Sequence, residues 1–249
     1  MNKKFNLNAL FYLSKINIIN RYRNSFLGPI WITLSTALFI LTITYISNFI
    51  SSIDLNNKIY YIGSGYILWT FIQYTISKSI YVFQENETLI KEFSLPLIFY
   101  LYKLMMISTI IFFHNFILIV AIILITKNYN FNLLYFVITF LLLFFNTFFI
   151  SIITAILSSK YTDIKPIVEN GLFILFVITP IIWPSSLIQE NFIMNINIVF
   201  HMIESVRYAL INGELKLDSI IILIKSLAVF GLISSILYQK NKRKLIFYI

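Results

Sequence analysis

The sequence predicts an all-α integral membrane protein. It has six transmembrane helices, an N-terminal interfacial amphipathic helix, and re-entrant outer half-helices before the last span. Three observations predict this. First, the 249 residues are 59% hydrophobic and only 12% charged, with a mean hydropathy of +0.86. A soluble domain carries about 25% charged residues, so this chain has too little polar surface to cover a globule in water. Second, long stretches without charge recur along the chain. Third, lysine and arginine cluster beside those stretches predominantly on one side, as membrane orientation requires. The net charge of +9 therefore belongs to a membrane surface and not to a nucleic-acid groove. With no cysteine, disulfides and thiolate metal sites are excluded. His114 and His201 match no ligand spacing. The richness in Ile, Asn, Lys, Phe and Tyr reads as an AT-rich coding bias, which inflates both the aromatic count and the basic balance.

The whole chain, 1–249, is read as one transmembrane domain. Residues 1–26 form a cytoplasmic interfacial helix, 27–237 the six-span region and 238–249 a basic cytoplasmic tail. In the first of these, Phe5, Ala9, Tyr12, Leu13, Ile16 and Ile19 fall near helical spacing, while Leu10 breaks the polar face. That pattern fits a helix lying in the interface, with a disordered basic tail as the other reading. No cleavable signal peptide is expected, because the apolar run that follows is too long and lacks a small-residue cleavage site.

A spanning helix needs about 20 apolar residues. The candidates are 27–50, 59–83, 99–125, 131–157, 168–183 and 217–237. The fifth is short and ends at Pro180 and Pro184. Residues 185–212 are moderately apolar yet carry Glu190, His201, Glu204 and Arg207, a mixture suited to half-helices that dip into the membrane or lie on it. Six spans put both termini on one side. The other side receives only Lys58, Lys127, Arg207 and Lys216, so both termini are expected to be cytoplasmic in a multi-pass protein of the bacterial inner membrane.

Four stretches are more specific. They are RYRNSFLGPIW (Arg21–Trp31), ENETLIKEFSLPLIFYLYKL (Glu85–Leu104), KYTDIKPIVENGLFILFVITPIIWP (Lys160–Pro184) and NIVFHMIESVRYALINGEL (Asn197–Leu215). In order and in membrane side they resemble the permease subunits of type-2 ABC exporters for bacterial surface polysaccharides. The first resembles that family's R-Y-R-x-S-x-L-G-x-x-W junction and the second its N-x-x-L-I-K cytoplasmic loop. The third resembles its R-Y-R-D-I…T-P-I-x-W-P segment, with Lys160 and Thr162 in place of the arginines. The fourth resembles its N-P-x-x-x-x-I-E-x-x-R motif, with Ile198 in place of proline.

The resemblance implies a homodimeric permease that works with a separate cytoplasmic ATPase. The substrate would be a lipid-linked polysaccharide such as O antigen, capsule or teichoic acid. ATP and magnesium would sit on the ATPase and no cofactor on this chain. No G-x-x-x-x-G-K-[ST] loop occurs, and none of the six glycines precedes a lysine. Glu87, Leu89, Ile90 and Lys91 become candidates for coupling to the ATPase, against an ordinary solvated loop. Asp163 would contact the ATPase or the Arg21–Arg23 cluster, or stay solvated. Arg21, Tyr22, Arg23, Gly28 and Trp31 form the junction of interfacial helix and gate, with Gly28-Pro29 as a helix start or a kink. Tyr45, Tyr66, Trp69 and Tyr74 are candidates for the substrate path, against packing or an interfacial belt. Lys225 lies about 12 Å into the last span. Its candidate partners are Glu204, Glu169 or a substrate phosphate, against snorkelling to the surface. Glu204 and Arg207 belong to the outer motif. His114 and Asn146 are expected as interhelical hydrogen-bond partners.

Two rival functions remain at this level. One is an efflux permease for a drug or small lipid. The other is a membrane-embedded transferase acting on lipid-linked sugars, which requires clustered acids and histidine; the ten acidic residues here are dispersed.

Overall fold

The structure is a computed structural model that describes residues 7–47, 49, 55–92, 95–127, 130–183, 192–242 and 245. The described residues form ten helices: α1 Leu7–Arg21, α2 Ile30–Ser47, α3 Leu55–Ser79, α4 Glu87–Glu92, α5 Ile98–Thr126, α6 Leu133–Lys160, α7 Ile164–Ile178, α8 Phe192–Ile196, α9 Ile198–Ile211 and α10 Leu217–Asn241. Four of them, α2, α5, α6 and α10, are long and apolar enough to cross a membrane.

The predicted second and fifth spans coincide with α3 and α7, and each falls short for its own reason. With 25 residues, α3 is about 37 Å long, but it carries Lys58, Gln73 and Lys78. Its position explains that composition: it is the hub of the bundle, in contact with α2, α5, α6, α7 and α9. Ile62, Ile67, Leu68, Trp69, Phe71 and Ile72 are buried against these neighbours, so α3 faces protein more than lipid. Its buried Ser64, Thr75 and Ser79 return their hydroxyls to carbonyls three or four residues back, the usual way to hide a hydroxyl inside a helix bundle. With 15 residues, α7 reaches only about 22 Å, below the roughly 30 Å of a hydrocarbon core. Beyond it, Thr179–Trp183 leaves the helix.

Phenylalanines join α3, α5 and α6. The Phe112 and Phe140 rings stack at 4.5 Å, and Phe71 meets both at 5.7 Å. Asn146 joins α6 to α10: its Nδ2 donates to the Leu223 carbonyl at 3.1 Å, and its Oδ1 accepts from Ser226 Oγ at 2.7 Å. Asn146 thus takes the interhelical role expected of it. His114 joins α2 and α5 through its backbone, its carbonyl accepting from Thr33 Oγ1 at 3.3 Å, while its ring nitrogen bonds the Ile110 carbonyl of its own helix at 3.0 Å. Asn146→Leu removes both interhelical bonds but leaves Ser226 satisfied by the Leu223 carbonyl at 3.0 Å. The expected cost is about 1 kcal/mol, read as a small fall in the unfolding midpoint with α6 and α10 still paired.

The face of α1 that docks onto α5 differs from the predicted stripe. Leu10, Ser14 and Ile18 are buried, four residues apart as one helical face requires. The predicted Tyr12, Leu13 and Ile19 stay exposed together with Phe11. Leu10 is therefore no break in a polar face. It belongs to a second apolar direction, which explains why α1 looked only modestly amphipathic. Between α1 and α2, Gly28 has φ +56°, a conformation that a side chain disfavours. Gly28-Pro29 is thus a turn that delivers the chain into α2 at Ile30, not the first turn of a span starting at residue 27 as the sequence predicts.

Candidate functional site

Three regions gather the residues singled out in the sequence. At the basic end, Arg21 closes α1 and donates from Nη2 to Tyr74 Oη on α3 at 2.6 Å, with its guanidinium 5.2 Å from the ring centre. Tyr22 packs beside Ile18, Ile32 and Ile107, while Arg23 is exposed. Trp31 is partly exposed at the start of α2. Tyr74 therefore anchors the junction of α1 with α3.

The helix α4 is held rather than loose. Asn86 donates to the Val82 carbonyl at 2.7 Å, accepts from Lys103 Nζ at 2.7 Å, and its carbonyl receives the Ile90 N–H at 2.9 Å. This corrects the reading of the segment as a loop, coupling or solvated, that exposes Leu89 and Ile90. Ile90 is buried and Leu89 packs on the same core, so both hold α4 to its own bundle. The outward side carries Thr88, Glu92 and the ion pair of Lys91 with Glu87.

Asp163 precedes α7, is exposed and makes no side-chain capping bond. Among the described residues no ion pair joins it to Arg21 or Arg23. Other side chains, missed in the sequence, tie α7 to the α3–α4 connection. Lys165 Nζ donates to Gln84 Oε1 at 2.6 Å and lies 5.1 Å from the Tyr81 ring centre. Tyr81 Oη donates to Glu169 Oε1 at 2.9 Å, and that bond, more than burial, pushes the phenol pKa up. These partners lie more than 80 residues apart in sequence, so no local spacing reveals them.

The second region is a groove of about 270 Å³ between α2, α3 and α7, lined by Phe39, Tyr66, Trp69, Gln73, Glu169, Phe173 and Phe176. Phe39 stacks on Tyr66 at 3.9 Å, and Trp69 meets Phe176 at 5.5 Å. Of the predicted path residues, Tyr66 and Trp69 come together here. Tyr45 lies elsewhere, exposed and edge-on to Phe49 at 5.3 Å. Lys225 is exposed on α10, which packs on α6 and α9 and so stands away from this groove. Its proposed partners are taken: Glu169 by Tyr81, and Glu204 by the cations described next.

The third region is a polar knot at the opposite end. Arg207, 2% exposed, donates from Nη1 to the Pro180 carbonyl at 3.0 Å and to Glu204 Oε2 at 3.2 Å. Its guanidinium lies 3.8 Å from the Tyr61 ring centre. Lys216 reaches Glu204 Oε1 at 3.2 Å. Tyr61 Oη donates to the same Pro180 carbonyl at 3.2 Å. Asn197 caps α9 and donates to Thr179 Oγ1 at 2.8 Å. His201 sits between Ser219 Oγ at 3.1 Å and the Asn195 carbonyl at 3.2 Å. The outer motif thus clamps the end of α7 to α3, α9 and α10. Only the three-residue spacing of Glu204 and Arg207 was visible in the sequence.

Among the described residues no group of three or more His, Cys, Asp or Glu side chains is placed to hold a metal. Among the described residues the three regions offer buried and exposed ion pairs, an aromatic groove and helix ends tied to one another.

Comparison with known proteins agrees. Two O-antigen export system permease proteins RfbA of Klebsiella pneumoniae are similar to this chain, at 25% and 24% identity over 250 residues, covering 96% of this chain and 95% of each relative. Residues 8–211 match the ABC-2 type transporter family. That stretch runs from the α1 junction through the aromatic groove to the Glu204–Arg207 pair, and the chain belongs to the ABC-2 type transporter family as a multi-pass, non-catalytic membrane permease subunit.

Proposed function

We propose that this permease is the membrane half of an ATP-driven exporter that carries lipid-linked surface polysaccharide across the cytoplasmic membrane. The observation that carries the reading is the likeness to the O-antigen export permeases, which runs over 96% of the chain. The aromatic groove supports it, since stacked rings suit a sliding chain of sugars. In this reading two copies pair, and the groove of each contributes one wall of a shared path. ATP and magnesium are handled by a separate ATPase, which docks at the end bearing α4 and Asp163. Glu87, Lys91 and Asp163 touch the ATPase, while Leu89 and Ile90 transmit the push into the bundle. Arg21, Tyr22, Arg23, Gly28 and Trp31 set the angle between α1 and α2 at the gate.

The test is deletion. Cells lacking this gene are expected to lose surface polymer and to accumulate its lipid-linked precursor inside, with both effects reversed by the gene in trans. Normal surface polymer in the deletion strain refutes the assignment.

The proposed topology has six spans, with α3 and α7 as the second and fifth, α8 and α9 re-entrant on the outer side, and both termini cytoplasmic. The lysine and arginine distribution supports it. Tags at the N terminus, after residue 92 and at the C terminus are expected to stay hidden from outside intact cells. Tags near Asn56 and Asn191 are expected to be reached. A C-terminal tag labelled from outside overturns the six-span arrangement.

A further inference from the structure

A small polar cavity of about 70 Å³ lies where α1, α3, α5 and the α3–α4 turn meet. Arg21, Lys78, Lys103, Glu85, Tyr74 and Tyr100 give it its polar wall, with Leu104 and Ile107 on the apolar side. Its charges do not balance. Three cations face one carboxylate, and that carboxylate, Glu85, lies 3.4 Å from Lys78. The other two cations have neutral partners: Arg21 donates to the Tyr74 hydroxyl at 2.6 Å and Lys103 to the Asn86 amide oxygen at 2.7 Å. One side chain is left over. Tyr100 is 1% exposed, lines the cavity, and its Oη has no hydrogen-bond partner. Buried hydroxyls are almost always paired, so a donor stranded beside uncompensated cations calls for an acceptor that carries negative charge.

We propose that this cavity binds the phosphate of an anionic lipid headgroup, which accepts from Tyr100 Oη and neutralises Lys103 and Arg21. At roughly 10–15 Å³ of such space per water, the cavity has room for several waters, enough to admit the two free oxygens of a phosphodiester. Depth favours a lipid over a free anion. Tyr100 and Ile107 lie about 3 and 14 Å along α5 from its start at Ile98, at the end of a candidate span, where headgroups lie. The exposed Phe11, Tyr12, Leu13 and Ile19 of α1 offer apolar surface beside the same place. Basic pockets between spanning helices are a recurrent headgroup site. Through Arg21 the headgroup steadies the junction of α1 with α3, and this holds whatever polymer is exported.

Permease purified in a neutral, phosphate-free detergent is titrated with phosphatidylglycerol, with diacylglycerol and with inorganic phosphate, and bound ligand is counted by native mass spectrometry. One phosphatidylglycerol per chain is expected, and no diacylglycerol. Tyr100→Phe is expected to bind phosphatidylglycerol about tenfold more weakly, the loss of one charge-assisted hydrogen bond. The pair Arg21→Gln with Lys103→Gln should not bind it at all, whereas Lys15→Gln, on the exposed side of α1, should bind like wild type. Without ligand, Tyr100→Phe should melt no earlier than wild type, because its hydroxyl has no protein partner to lose. Undiminished phosphatidylglycerol binding by Tyr100→Phe and by the double variant overturns the site. Variant-sensitive binding of inorganic phosphate, with none of phosphatidylglycerol, overturns the lipid as its occupant.

Discussion

Replacing Gly65 by alanine is expected to break the clamp at the far end of the bundle with a single methyl group. A Cβ at this position meets Arg207 Nη2 at 1.9 Å, Arg207 Cζ at 3.0 Å and the Ile181 carbonyl at 3.3 Å. A guanidinium is usually free to swing aside, but this one is held by the Pro180 carbonyl, by Glu204 and by the Tyr61 face. Making room means surrendering these contacts inside a space where Arg207 is 2% exposed. Overpacking costs about 1–3 kcal/mol, and a lost hydrogen bond to a charged group about 1.5–3 kcal/mol. A total near 3 kcal/mol is a large share of the roughly 5–15 kcal/mol that holds most proteins folded. The expected readout is a midpoint lower by about 10 °C and a reduced monodisperse fraction in detergent.

A double-mutant cycle identifies the cause. Arg207→Met removes the obstructing atoms and leaves Glu204 with Lys216 at 3.2 Å. In that background Gly65→Ala is expected to cost under about 1 kcal/mol, because only the Ile181 contact remains. Equal costs in both backgrounds mean that the glycine serves the helix backbone rather than the arginine, and the clamp is then not what requires it.

The sequence makes some of this bundle legible and hides the rest for definable reasons. The helices α2, α5, α6 and α10 announce themselves because lipid-facing helices must be apolar over their whole length. The predicted second span runs on to residue 83, whereas α3 ends at Ser79. Val82 and Phe83 are buried from a turn, and hydropathy alone does not distinguish a buried turn from a helix. For α4 the polar bracket around Leu89 and Ile90 reads as a solvated loop, but Asn86 bonds inward to Lys103 and turns the apolar pair toward the core. The groove yielded Tyr66 and Trp69 as aromatic residues of interest. It withheld Phe39, Phe173 and Phe176, since many of the chain's phenylalanines pack helices together and nothing local marks the few that line a space. Lys225 failed as a partner of Glu204 because Lys216, at the start of α10, is the closer cation.

Charge reversal at Lys91 is expected to stop export without harming the permease. Lys91 and Glu87 are paired on the outward side of α4, with side chains 56% and 43% exposed. A pair so exposed is worth under about 1 kcal/mol to the fold, so Lys91→Glu should leave abundance and melting near wild type. If α4 is the surface that meets the ATPase, the new carboxylate joins Glu87 and Glu92 in a like-charge patch where a mixed one stood. Like charges across an interface cost several kcal/mol, and each 1.4 kcal/mol is tenfold in affinity. Recovery of the ATPase with the purified permease is therefore expected to fall by at least about tenfold, and surface polymer with it. The contrast is Ile90→Asp. Ile90 is buried in the permease's own core, so this variant should lower the abundance of the permease itself, by unfolding rather than by undocking. A solvated loop with no partner predicts that Lys91→Glu changes neither ATPase recovery nor surface polymer. That pair of results removes α4 as the coupling element and shifts the contact to the segment around Asp163.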